Sequence, residues 1–324
     1  MTESTAAPSE NPLSGPATDH AVADAPRPGL IERFHAASGL AKLGVGAVIA
    51  IPIVCVAAIV VTGVLAPAAE RPTIFWGTLV AMAAGLSSTA IGVYGGVLVP
   101  GLLLLRVDAR FAAALSLFLQ VLVIPIGAGT HYRLGNFSRR VALPLVIGGV
   151  VGSFAGPFFA AALPKDAIAR VVAGMIVVVG VLVLMTLRLG RLGEVRQEQD
   201  VPSARVVGIG GVAGFASGIS GAGWGPIGVK LLILSRIDPR QAIGSSLFAR
   251  VFMATSAVIA YLISSTAFRD VTPDWWLVVP LFAGSIAPMI PGAFVVSRLG
   301  RERATVGITL LSISLALPTL VFGH

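Results

Sequence analysis

The sequence predicts an all-α integral membrane protein built as a tandem inverted repeat. Each half is a glycine-rich broken or re-entrant helical hairpin plus three membrane-spanning helices, and one extra span precedes both halves. Three observations predict this. The chain of 324 residues is 56% hydrophobic and only 12% charged, with mean hydropathy +0.91, whereas soluble domains carry about 25% charged residues. Its charges bracket long uncharged runs: 27 residues between Lys42 and Glu70, 24 between Arg140 and Lys165, and 23 between Asp274 and Arg298. A membrane helix needs about 20. Finally, the chain repeats itself.

The repeat begins in a glycine-rich stretch. Gly85, Ser88 and Gly92 match Gly214, Ser217 and Gly221 at an offset of 129. Arg106, Asp108, Arg110, Ser116 and Phe118 then match Arg236, Asp238, Arg240, Ser246 and Phe248 at 130. Pro144, Gly148 and Gly156 match Pro280, Gly284 and Gly292 at 136. Such spacing over some 80 residues marks a duplicated unit. Repeat 1 is expected over residues 74–187 and repeat 2 over 205–323, with the extra transmembrane helix at 43–66.

Residues 1–28 are rich in Ala, Pro, Ser and Thr and carry no base before Arg27. They cannot bury enough apolar area to fold, and they lack the basic start and apolar core of a signal peptide. A disordered, cytoplasmic tail is expected there.

Between Arg71 and Arg106 lie 34 uncharged residues. As one straight helix they would extend about 50 Å, against a hydrocarbon core of about 30 Å. The glycine cluster with Pro100 therefore marks a break, and Gly221 to Pro226 repeats it. Each segment is either a broken helix that crosses or a re-entrant hairpin. The remaining spans are expected at 111–130, 141–162, 168–187, 241–264, 275–297 and 304–323. Excluding Lys230 and Arg250, which lie inside apolar runs, 21 of the 23 Lys and Arg remain to be divided between the two sides. Crossing segments divide them 12 inside and 9 outside; re-entrant segments divide them 15 and 6. Positive charge concentrates on the cytoplasmic side, which favours re-entrant hairpins. Each half then crosses three times and the two face opposite ways, the plan of secondary transporters.

The net charge of +8 sits in short loops, as topology signals do, so no nucleic-acid partner is expected. Cys55 is the only cysteine, which excludes an intramolecular disulfide or a thiolate zinc site. The sequence offers no metal-spaced His/Cys set, no intramembrane carboxylate, no Ser with a nearby base and no P-loop. No catalytic residue, metal or cofactor is expected.

Broken backbone at membrane depth survives only inside protein or along a wet cavity, and exposed amides at helix ends favour an anion. Close helix packing is the alternative role for the glycines. Arg250 stands well inside a span, where an arginine usually marks function. Its repeat mate is Gln120, and together they are expected to donate to an oxyanion. Ser116 and Ser246 precede them by four residues on the same helix faces. Lys230 is a candidate ligand or a snorkelling side chain. Gly95, Gly96, Gly223 and Gly225 form the breaks, and Tyr94 and Trp224 are candidates to wall the pocket or pack. His131 lies at a span end, and Trp275 and Trp276 read as an interface belt.

These paired clusters, Gly92-Val93-Tyr94-Gly95-Gly96 to Pro100 and Gly221-Ala222-Gly223-Trp224-Gly225-Pro226, each precede a short loop and a Ser-Leu-Phe helix. In this the chain resembles the TauE/SafE family of sulfite and organosulfonate exporters over roughly residues 74–323. Tyr94 and Trp224 depart from an all-glycine cluster. The resemblance implies export of a small sulfur-containing anion across the plasma (inner) membrane by alternating access. A coupling proton or sodium ion and the lipid bilayer are the further expected partners, with a homodimer as candidate assembly. An anion channel with the same pore, or a non-transporting scaffold in the membrane, are the competing readings.

Overall fold

The computed structural model describes residues 40–91, 93–133, 135–189, 201–222, 224–235, 237–264, 275–288 and 301–323. The tail expected at 1–28 lies outside them, as do Gly92, Gly223, Arg236 and Gly292. Every regular element among the described residues is a helix. In chain order these are α1 (Leu40–Leu65), α2 (Arg71–Ile91), α3 (Gly95–Leu104), α4 (Ala109–Arg133), α5 (Arg139–Ala162), α6 (Lys165–Leu189), α7 (Ser203–Ser220), α8 (Trp224–Leu234), α9 (Pro239–Ser264), α10 (Trp275–Ile286) and α11 (Arg301–Phe322).

Four of these contain stretches long and apolar enough to cross a membrane: Arg139–Ala162, Lys165–Met185, Gln241–Ser264 and Thr305–Phe322. Helix α5 shows why such a helix belongs in lipid. Its large side chains Leu143, Ile147 and Val151 are 58–68% exposed, while Gly148, Gly152 and Gly156 are buried. A water-soluble helix does the reverse. The spans expected at 43–66, 111–130 and 275–297 fall on α1, α4 and α10, whose described apolar stretches are shorter: Ala50–Leu65, Ala109–Pro125 and Trp276–Ile286. For α1, Cys55, Ala58 and Ile59 pack with Ala283 and Ile286 of α10 and with Ala287 just after it.

Both glycine-rich segments break, between Ile91 and Gly95 and after Ser220, but Gly95, Gly96 and Pro100 lie inside α3 and Gly225 and Pro226 inside α8. Helix α2 gives way to the short α3, and α7 to the short α8; within each pair the two helices touch. The strongest packing joins elements of different halves. Helix α7 lies along α5, α2 along α10, α4 along α9 and α6 along α11. At the α5–α7 crossing the backbones nearly touch. A Cβ on Gly148 would strike the Val207 carbonyl oxygen, and one on Gly214 the Gly149 carbonyl oxygen. The α2–α10 crossing repeats both contacts. A Cβ on Gly284 would lie 3.1 Å from the Thr78 carbonyl oxygen, and one on Gly85 would strike that of Ser285. Each of these residues is the repeat mate of its counterpart, at the offsets of 129 and 136.

The repeated Arg-x-Asp-x-Arg motif is a corner between two helices. Arg106 takes the left-handed conformation (φ 61°) that ends α3, and the Val107 N–H reaches back to the Leu102 carbonyl at 3.1 Å. Asp108 Oδ1 then accepts from the N–H groups of Arg110 (2.9 Å) and Phe111 (3.1 Å), capping α4. The second copy repeats the pattern. Ile237 N–H bonds the Leu232 carbonyl at 3.2 Å, and Asp238 Oδ1 accepts from Gln241 N–H at 3.2 Å. The Arg110 guanidinium reaches the carbonyls of Ala160 (3.1 Å) and Leu163 at the end of α5, where a cation offsets the helix dipole. The motif positions helices.

Candidate functional site

The two breaks meet. Helix α3 starts at Gly95 with Tyr94 as its N-cap, and the N–H groups of Val97 and Leu98 both bond the Tyr94 carbonyl at 3.2 Å. The approach to it is held by the Ser87 hydroxyl, which donates within reach of the carbonyls of Ala84 (2.8 Å) and Val93. Helix α7 ends at Gly221 in the left-handed conformation (φ 64°). Its turn is closed by Ser220, whose hydroxyl donates to the Ala216 carbonyl (2.7 Å) and accepts from the Ala222 N–H (3.1 Å). A Cβ on Gly95 would strike the Gly221 carbonyl oxygen and come within 2.8 Å of Ser116 Oγ and 2.9 Å of Ala222 Cα. Only glycine permits this approach, and Gly221 also needs its positive φ.

Behind this contact stands a buried polar chain. The Gly221 carbonyl accepts from Ser116 Oγ (3.0 Å) and from Gln120 Nε2 (2.9 Å). The same Gln120 nitrogen lies 3.2 Å from the Ser116 carbonyl and hydroxyl. On its other side Gln120 Oε1 accepts from Arg250 Nη2 at 2.7 Å. Ser116, Gln120 and Arg250 are all buried. This departs from the expectation that Arg250 and Gln120 jointly donate to an anion. The Gln120 amide nitrogen is aimed at Ser116 and Gly221, and its oxygen faces the guanidinium. A buried amide beside a cation presents its acceptor to that cation and its donor elsewhere.

The other predicted residues divide. Ser246, the mate of Ser116, donates to the Ile243 carbonyl of its own helix at 2.8 Å. Tyr94 is buried and points away from the meeting turns, its hydroxyl 2.6 Å from Ser285 Oγ on α10. His131 lies in the last turn of α4, its Nδ1 3.3 Å from Asn136 Nδ2. Trp224, Gly225 and Lys230 lie on α8, but their side-chain environments fall outside the described residues, as does Gly223 altogether.

A cavity of ≈ 40 Å³ lies on the other side of the turns. Val93 and Gly96 from the first break and Ser220 and Ala222 from the second form one wall. Helix α6 contributes Met175, Ile176, Val179, Gly180 and Val183, and α11 contributes Ile308, Thr309 and Ser312. A Cβ on Gly96 would stand 3.8 Å from Ser312 Oγ, so these two face each other closely. Among the described residues, Gly96 is the one predicted from sequence that lines this cavity. The signal that marks Thr309 and Ser312 is the series Thr305, Thr309, Ser312, hydroxyls at helical spacing in a mostly apolar stretch.

Comparison with known proteins follows the same lines. The chain is 29% identical over 213 residues to a probable membrane transporter protein, YtnM, of Bacillus subtilis (strain 168), covering 64% of this chain and 70% of that protein. It is 28% identical over 195 residues to a second from that organism, YdhB, covering 59% and 76%. A probable membrane transporter protein of Haemophilus influenzae is 26% identical over 237 residues, covering 68% and 85%. No solved structure matches. Residues 77–318 match the family described as sulfite exporter TauE/SafE. The chain belongs to that family.

Proposed function

We propose that this protein is a secondary transporter that exports a small sulfur-containing oxyanion, a sulfite or a sulfonate, across the plasma membrane. It works by alternating access between two inverted repeats, residues 74–187 and 205–323. The observation that carries this reading is the meeting of the two helix breaks, Gly95 against Gly221, with Arg250 hydrogen-bonded to its own repeat mate Gln120 beside them.

Two repeat mates that touch must straddle the axis relating the halves, because a two-fold maps each onto the other. The exchanged contacts at Gly148/Val207 and Gly284/Thr78 support the same axis. An arginine at both axis positions would set two buried like charges against each other. One arginine and one glutamine keep a single positive charge at the centre, joined by a hydrogen bond. That charge lends the region a potential suited to an anion.

With re-entrant hairpins the axis lies in the membrane plane, and rocking of the halves exposes the centre to one side, then the other. Gly223, Gly225, Trp224 and Lys230 complete the second hairpin in this reading, and Ser116, Gly95 and Gly96 belong to the anion's surroundings. Uptake of sulfite and sulfonates into inside-out proteoliposomes tests the proposal. Substrate-specific uptake accelerated by anion on the opposite side supports a carrier. Equal uptake by empty vesicles overturns it, and flux without such acceleration favours a channel. Arg250→Ala with parental transport and affinity would remove the central charge from the site.

A further inference from the structure

We infer that the cavity between the two turns and helices α6 and α11 is the chamber that holds the transported anion. Ser312, Thr309 and Met175 are then its specificity-determining residues. This rests on the transport reading above and moves substrate contact away from the Arg250–Gln120 pair, which acts from behind the second turn by holding the Gly221 carbonyl.

Size is the first argument. A site for one water needs about 10–15 Å³ of such volume, so ≈ 40 Å³ suits a solute of a few heavy atoms. The hydroxyls are the second. Each is satisfied within its own helix: Thr309 donates to the Thr305 carbonyl at 2.7 Å, Ser312 to Ile308 at 3.0 Å and Ser220 to Ala216 at 2.7 Å. Those carbonyls also serve the helix ladder, so a hydroxyl can rotate toward a ligand without stranding a buried acceptor. Binding and release are then both inexpensive, as a carrier requires. Third, Gly96 lies in the first turn of α3, where the N–H groups of Gly95 and Gly96 precede the bonds that Val97 and Leu98 make to the Tyr94 carbonyl.

The lining also specifies the class of solute. Among the described residues no Lys, Arg or His lines the chamber, and Val93, Met175, Ile176 and Val179 make much of its wall apolar. Stripping water from a doubly charged inorganic anion is costly in such a place. A singly charged oxyanion with a short apolar stub lays its carbon on Met175 and its oxygens toward Ser312, Thr309 and the start of α3.

The test uses the full chain in proteoliposomes, with methanesulfonate, propanesulfonate, sulfite and sulfate as probes. Three proteins are compared: the parent, Ser312→Leu, which fills the chamber, and Met175→Ala, which enlarges it. Ser312→Leu is expected to slow methanesulfonate uptake while keeping the parental melting temperature. Met175→Ala is expected to raise the propanesulfonate-to-methanesulfonate rate ratio by about tenfold, the worth of one or two methylenes in a shaped pocket. Should Ser312→Leu fail to fold, the ratio in Met175→Ala decides alone. Parental rates and ratios in the folded variants overturn the chamber but leave transport standing. A parent that carries none of the four probes overturns the transport reading, and the chamber with it.

Discussion

The α5–α7 and α2–α10 crossings are the same contact built twice, and they are built differently. At the first, glycine meets backbone along the whole seam. Cβ atoms on Gly148 and Gly152 would strike the carbonyl oxygens of Val207 and Gly211, and one on Gly156 would lie 2.8 Å from Gly218 Cα. At the second, the mates of Gly211 and Gly152 are Met82 and Pro288. A Cβ on Gly77 meets leucine methyls, the nearest on Leu277 at 3.1 Å. A backbone neighbour cannot rotate away, whereas a leucine methyl can. One crossing is therefore held by backbone along its length, the other by backbone only around Gly85 and Gly284 and by side chains at its Gly77 end, although one ancestral pattern wrote both. Under the alternating access proposed above, the first seam is suited to carry a body and the side-chain part of the second to yield.

Substitutions at the two seams should break or sharpen this contrast. The largest effect is expected for Gly152→Val, which forces backbone apart. It should cost at least about 3 kcal/mol and appear as lost monodisperse protein in detergent. Gln120→Leu comes next. It removes the bond from Arg250 and the bond to Gly221 together, and a lost hydrogen bond to a charged group costs about 1.5–3 kcal/mol. Since Gln120 belongs to neither seam, its melting-temperature loss should be relieved in part by adding Arg250→Met. A strictly additive double variant would show that the pair is not coupled.

Gly77→Ala should cost no more than about 1 kcal/mol, because Leu277 can shift. A loss as large as that of Gly152→Val would end the distinction between the seams. The smallest effect belongs to Gly208→Ala on α7, where an added Cβ meets nothing within 4 Å. There the melting temperature should hold or rise, by up to about 1 kcal/mol of helix propensity.

Much of the architecture was legible in the residues themselves. Long uncharged runs, glycine-proline clusters and a constant repeat offset are local or periodic signals, so they announced helices, breaks and duplication without knowledge of neighbours. The family match over residues 77–318 bore out the resemblance. The repeated Arg-x-Asp-x-Arg was visible as a motif but not as a corner, because a left-handed Arg106 and a capping Asp108 are recognised only from backbone conformation.

The sequence by itself determined that the chain is helical, apolar and duplicated, and which residues are repeat mates. Tertiary structure alone decided what those mates do. Gln120 turned its oxygen to Arg250 and its nitrogen to the Gly221 carbonyl. Tyr94 went to Ser285 instead of the turns, and the cavity drew its walls from α6 and α11. The reason is physical. Hydropathy and periodicity act along the chain and specify what each segment is. Which polar atom finds which partner depends on how helices distant in sequence cross, and glycine-to-backbone contacts set that crossing to within a few tenths of an ångström.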